Sequence, residues 1–278
     1  MIVLSHHQAR PLLQVRDRQS TIEISLDLGI SRLTVDLTEI GARFSDDNVL
    51  AWDVLAEIAA DENSCFWVED GQAQAIQVFS ETFQRAYTLY PTESAPTMLV
   101  SGIPMHRIKD TNPWRDTRSK IKALGRVGGC LLDTTTGLGY TAILAAEKAT
   151  HITTVELDPA AQKIARQNPW SQGLFDNPKI EQLIGDSNDL IETFPAERFN
   201  AIIHDPPMFS LAGELYSLEF YRQAHRVLKS NGRMFHYIGS PESKSGARVT
   251  SGVVRRLKQA GFSAVLPRPQ AFGVLSLK

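Results

Sequence analysis

Cysteine is scarce in these 278 residues: there are two, Cys65 and Cys130. Both sit in apolar, strand-like runs, which reads as buried thiols in a reducing compartment and excludes a disulfide framework. CxxC and HExxH are missing, so no metal site is expected. Long hydrophobic runs are missing as well; no apolar stretch approaches the ~20 residues of a bilayer span. The opening Met1-Ile2-Val3-Leu4-Ser5-His6-His7 has no charged region followed by an apolar core. No signal peptide and no membrane association are therefore expected, and the expected location is cytoplasmic. Charge of one sign is lacking too. With 29 Lys and Arg against 31 Asp and Glu the net charge is −2, so the chain as a whole does not attract nucleic acid through its field. What is present is a 42% hydrophobic content, enough for a real core. The length suits one large domain or two modest ones.

The rest of the chain is organised around Leu131-Leu132-Asp133-Thr134-Thr135-Thr136-Gly137-Leu138-Gly139-Tyr140-Thr141-Ala142. An apolar run ends in an acid, a small hydroxylated turn follows, and Ala142 to Ala146 begins a helical pattern. This predicts strand, loop and helix. Gly137 and Gly139 permit a sharp turn and keep side chains away from the backbone, and the helix start offers free N–H groups. Gly137, Gly139 and Ala142 fit the G-x-G-x-x-G/A spacing of a dinucleotide fingerprint. In a dinucleotide fold the first glycine directly ends the strand, leaving room for a pyrophosphate. Here Asp133 ends it, which repels a pyrophosphate and suits an ammonium. Ile152 to Glu156 predicts the next strand, and Glu156 at its end can accept both ribose hydroxyls of a nucleoside.

The pattern D-x-x-x-G-x-G formed by Asp133, Gly137 and Gly139 resembles motif I of class I S-adenosylmethionine (SAM) methyltransferases. From Gly128 onward strand and helix alternate. Strands are expected near 130–133, 151–156, 179–184, 200–204 and 232–238, and helices at 139–148, 159–167, 187–193, 214–228 and 248–260. Two short strands, about 263–267 and 272–277, close the chain. This α/β layout resembles the Rossmann-like class I methyltransferase sheet, mostly parallel with an antiparallel last strand, over about residues 118–278. The resemblance implies SAM as cofactor, held by Asp133, Thr134, Gly137, Gly139, Tyr140, Thr141, Glu156, Asp186 and Ser187. In this family the acid after the third strand accepts the adenine amino group, which Asp186 matches. Asp186 or Ser187 would serve equally well as a helix N-cap.

After the fourth strand comes Ile203-His204-Asp205-Pro206-Pro207-Met208-Phe209-Ser210. Two prolines directly after an acid fix a rigid, extended turn. The motif resembles the (D/N)-P-P-(aromatic) turn of amino-directed methyltransferases, with the aromatic displaced by Met208. That resemblance implies Asp205 and the Pro206 carbonyl as acceptors for the substrate NH₂ and Phe209 as a stacking ring. Glu214, Tyr216 and His236 lie in segments expected to face the same region, whereas His204 reads as a satisfied core residue. The run His204–Ser210 with its flanks, and His106-Arg107-Ile108-Lys109-Asp110 upstream, resembles a group of predicted methyltransferases found mainly in archaea.

Residues 1–115 read differently, as a mainly-β domain for substrate capture or dimerisation, with the SAM-binding domain over 116–278. Thr21 to Leu28 and Arg32 to Leu37 alternate as a hairpin should. A leading helix is expected over 5–18, a short helix over 53–60, and further strands near 64–68, 75–79, 85–89 and 97–101. The joint, Met105 to Lys122, holds six basic residues beside two acids. Asp116 is expected to cap a helix there. His106, Lys109 and Trp114 are candidates for substrate contact, with Trp114 stacking on a base; the alternative is a solvated linker leading into a helix with a polar face. Three functions stay open: a SAM methyltransferase acting on an amino group of an RNA base, the same chemistry on a small molecule, and an aminopropyl transferase using decarboxylated SAM. The last class tends to carry an acid in the glycine loop, where this chain has Leu138 and Tyr140.

Overall fold

The computed structural model describes residues 1–45, 48–209, 211–239 and 244–278, with the backbone alone for 244–246. Ser210 of the proline motif lies outside the described residues. The chain divides into two compact units, Met1–Trp114 with Ala160–Gly173, and Arg115–Pro159 with Leu174–Lys278.

The first unit is built from short antiparallel strands. Thr21–Ile24, Leu33–Leu37, Gly41–Ser45 and Asn48–Ala51 form a meander in chain order. Gln77–Ser80, Arg85–Tyr90, Thr97–Val100 and Ile103–Pro104 form a second. Ile2–Leu4 pairs with Phe66–Glu69, which turns through Asp70 and Gly71, both at positive φ, into Gln72–Ala75. Two positive-φ residues suit the twist of a tight hairpin. The helices His6–Val15 and Trp52–Ala60 bury Leu12, Leu55 and Ile58 in a core shared with Val35, Ala42 and Leu50. The alternating run from Thr21 stops being a strand at Ile24. Ser25 Oγ accepts from Gly29 N at 2.6 Å, Asp27 Oδ1 accepts from Ile30 N and Ser31 N, and Leu28 takes φ 56°. Short polar side chains here offer the backbone a turn that outcompetes the ladder.

The second unit carries a seven-stranded sheet in the order Ile180–Ile184, His151–Glu156, Cys130–Asp133, Phe199–His204, Leu228–Tyr237, Gly273–Leu277, Ala264–Arg268. The first five are parallel, and Gly273–Leu277 runs antiparallel to both its neighbours. The central strands are largely buried, with apolar runs such as Leu131-Leu132 and Ala201-Ile202-Ile203, because parallel strands are covered on both faces. Ile202, Phe199 and Met234 pack with Phe220, Tyr221 and Val227 of the helix Leu218–Val227 and with Val253 and Leu257 of Lys244–Gln259. Strand order reverses about Cys130–Asp133, so the carboxyl ends of that strand and its neighbours open a crevice at the switch point. Asp133, Glu156, Asp205 and Tyr237 lie at four of those ends.

Two expectations are corrected. The segment 214–228 is a 3-10 turn, Gly213–Tyr216, followed by a separate helix, because Ser217 Oγ accepts from Phe220 N at 3.0 Å and restarts the chain. The joint helix runs Pro113–Leu124, so Asp116 is inside its first turn and does not cap it. A proline at the first helical position needs no partner for its missing N–H, which sets the earlier start.

Candidate active site

The glycine loop is tied to the sheet from both sides. Thr134 N donates to Ile203 O and Thr136 N to Val155 O. Gly137 (φ 53°) donates its N–H to Glu156 Oε2 at 2.8 Å. Gly139 takes φ 76°, and a Cβ there would meet Leu174 at 2.6 Å. Only glycine suits both its conformation and its surroundings.

Asp133 is buried. Its Oδ2 accepts from Thr154 Oγ1 at 2.9 Å, the Thr135 N–H also acts on the carboxyl, and Oδ1 meets no partner at hydrogen-bond geometry among the described residues. Burial pushes the carboxyl up to about 7; the charges of Asp205 and Glu156 act in the same direction, against the hydrogen bond from Thr154. A buried, orphaned carboxylate oxygen is costly and is suited to a cationic or hydroxyl donor. Glu156 is raised by burial too, and its oxygens accept from Gly137 N and Asp158 N. Each carboxylate oxygen retains further lone-pair capacity for hydroxyl donors. Asp186 caps the helix Ser187–Thr193, with Oδ1 accepting from Asn188 N at 2.8 Å. Ser187 Oγ donates to Thr134 O, Thr134 Oγ1 bonds His204 Nδ1, and Tyr140 and Thr141 are buried. Thr134 and Ser187 thus spend their side chains on the protein itself.

The proline turn is joined to this loop, since Thr135 Oγ1 donates to Asp205 O at 2.8 Å. Pro206 is buried. Tyr216 Oη donates to Pro207 O at 3.0 Å, and the Phe209 ring stands edge-on to Tyr216 with centroids 5.4 Å apart. Phe209 is 49% exposed and Met208 54%. Burial first, then Asp205 and Tyr237, push the Tyr216 phenol up, so it stays a neutral donor. Glu214 is exposed on the 3-10 turn.

Lys120 was not anticipated as a site residue. Its side chain is 2% exposed, with Nζ 2.5 Å from Asp205 Oδ2 and 3.1 Å from Asp116 Oδ2. It also lies 4.5 Å from the centre of the Tyr237 ring. Burial alone would lower its pKa, but Asp205 and Asp116 outweigh that and raise it. The solvated polar face expected here is therefore wrong for Asp116, Thr117 and Lys120, all buried. The available signal was the i, i+4 spacing of Asp116 and Lys120, which any exposed helix shares.

His236 is corrected. It is fully buried, with Nε2 2.8 Å from Tyr221 Oη, and faces the core. His204 is also buried; its Nε2 donates to Leu215 O, since a carbonyl only accepts, and its Nδ1 pairs with Thr134. Burial holds it neutral, at about 3. His106, Lys109 and Trp114 belong to the first unit. His106 Nδ1 is 3.0 Å from Thr97 Oγ1, and Lys109 is exposed. Trp114, expected as a stacking surface, stands edge-on to Trp170 at 5.2 Å.

Residues 118–245 match the methyltransferase small domain family. Over 270 residues the chain is 38% identical to an uncharacterized protein of Methanocaldococcus jannaschii, covering 95% of this chain and 92% of that one. The chain belongs to one family with that protein, and its residues 118–245 carry the methyltransferase small domain match. SAM is its cofactor. Over 112 residues the chain is 35% identical to polyamine aminopropyltransferase 1 of Streptomyces coelicolor. That match covers 38% of this chain and 21% of the relative, so it spans about a fifth of that protein. Spermidine synthase from Thermotoga maritima has a similar fold, with a TM-score of 0.55, 14% identity and 75% of each chain covered.

Proposed function

We propose that the protein methylates an amino nitrogen, with Asp205 and the Pro206 carbonyl accepting hydrogen bonds from the acceptor NH₂. The observation that carries this reading is the 2.8 Å bond from Thr135 Oγ1 to Asp205 O. It makes the glycine loop and the proline turn one rigid edge, as a displacement that depends on alignment requires. The acids fit a cationic nucleoside: Asp133 offers an orphaned buried oxygen, Glu156 receives ribose hydroxyls, and the glycines clear the backbone. SAM supplies a methyl group on a positively charged sulfur, so the cofactor carries the activated chemistry. Asp205 orients the nitrogen lone pair, and Phe209 offers a half-exposed ring to a flat acceptor. The acceptor read from the proline motif is an RNA base, and a small flat amine is the alternative.

Aminopropyl transfer is the second reading, favoured by the likeness to the polyamine aminopropyltransferase. Against it, Leu138 and Tyr140, both buried, bring no carboxylate into the glycine loop. Calorimetric titration tests these roles. Asp133→Ala and Glu156→Ala are expected to lose SAM binding. Asp205→Ala is expected to keep it and to lose methyl transfer by about a hundredfold or more. Unchanged turnover in Asp205→Ala would remove that carboxylate from the mechanism. Tighter binding of decarboxylated SAM than of SAM would favour aminopropyl transfer. Labelled SAM with bulk RNA, against small amines, separates the two methyl acceptors.

A further inference from the structure

Among the described residues no lysine or arginine other than Lys120 is buried. A buried ammonium normally demands a partner, and this one is placed on the carboxylate read above as the contact to the acceptor amine. We propose that Lys120 is the positioning residue of the transfer site: it holds Asp205 as a charged hydrogen-bond acceptor and thereby restricts the acceptor to a nitrogen that is uncharged at neutral pH. The inference rests on the reading of Asp205 given under the proposed function.

Lys120 Nζ lies 2.5 Å from Asp205 Oδ2, and is itself fixed by Asp116 at 3.1 Å and by the Tyr237 ring at 4.5 Å. Asp133 also acts on Asp205 through its charge, and the neutral Tyr216 phenol lies near enough to feel that carboxylate. An ammonium this close favours the carboxylate over the carboxylic acid. Asp205 so paired accepts a hydrogen bond and is a poor base. An alkylammonium resembling a lysine side chain is neutral only about once in a thousand molecules or less at pH 7, and needs a base before it can react. The amino group of a nucleobase or another aromatic ring is already neutral. Its lone pair forms the new N–CH₃ bond, the sulfur keeps the electron pair of the bond that breaks, and the surplus proton on nitrogen leaves to solvent. The exposed Phe209 and Met208 give such a flat acceptor an apolar surface.

The test follows the aspartate carboxyl carbons of the full chain by NMR as pH is varied, with Asp205→Asn assigning the signal. Lys120→Met is expected to raise the Asp205 midpoint by about one pH unit or more, which is tenfold in proton affinity. Because Lys120→Met takes the ammonium away from the buried Asp116, the double variant Asp116→Asn with Lys120→Met is measured beside it, with the same expectation. An unchanged midpoint in the variants that fold overturns the role of Lys120. In a second arm the native protein receives labelled SAM with RNA oligonucleotides, aniline or 1,4-diaminobutane. Transfer to the neutral amino compounds supports the proposal, and faster transfer to the diamine overturns it. SAM binding by calorimetry reports on the wider reading alone, so a protein that fails to bind SAM defeats that reading while the titration still decides on Lys120.

Discussion

In the proposed function Asp133 links stability to ligand recognition at a single side chain. Its carboxyl is raised to about 7 in the fold, burial being the main cause, against an ordinary value of about 3.9 in an unfolded chain. Between these values the folded state binds the extra proton, so stability falls as pH rises through that window and the full cost is present above pH 7. Three units correspond to roughly 4 kcal/mol at most. Asp133→Asn is therefore expected to melt above the native protein at pH 8, and to lose that advantage near pH 4. Calorimetric melting at both values checks the sign. SAM affinity is expected to move the opposite way, rising with pH through 7 as the carboxylate forms. The place of this acid was legible in the sequence because it ends an apolar run before two glycines. Its orphaned oxygen was not, since that depends on Thr154 in the neighbouring strand claiming the other one.

At the level of elements, the helix Pro113–Leu124 shows what a charge pattern conceals. Its cations looked alike in one dimension, yet Arg115 and Arg118 are exposed while Lys120 is buried against a strand end 85 residues later. Periodicity reports which residues share a face, and a face holding Asp116, Thr117 and Lys120 looks solvated until a partner charge is known. Cys130–Asp133 and Phe199–His204 were legible because burial on both faces leaves apolar runs at their centres. Thr21–Ile24 was overestimated because Ser25 and Asp27 fold their own loop. Removing one partner of a buried ion pair leaves the other charge uncompensated, which costs about 3–5 kcal/mol. Lys120→Ala is thus expected to lower the melting temperature by several degrees or more. Lys122→Ala, at an exposed position of the same helix, is expected to stay within about 0.5 kcal/mol of the native protein. Equal melting of the two variants would show that the pair adds nothing.

For the molecule as a whole, ligand class is decided by the balance of charge in the crevice rather than by fold, since one α/β sheet serves nucleotides, dinucleotides and sulfonium nucleosides alike. Asp133, Glu156 and Asp205 end three strands that meet at the switch point. The cation against them, Lys120, is already held between Asp205 and Asp116. Among these side chains the carboxylates of Asp133, Glu156, Asp205 and Asp116 outnumber the one ammonium, a balance that under the proposed function favours a sulfonium and an ammonium over a pyrophosphate. The titration that tests this sets SAM beside NAD and ATP. SAM is expected to bind with an affinity that weakens modestly as salt rises, because opposite charges are being screened. NAD and ATP are expected to give no heat at the same concentrations, and added salt is expected to relieve their repulsion without producing tight binding. Tight uptake of either phosphate ligand, displaced by no excess of SAM, would mean that the acids at these strand ends do not choose the cofactor.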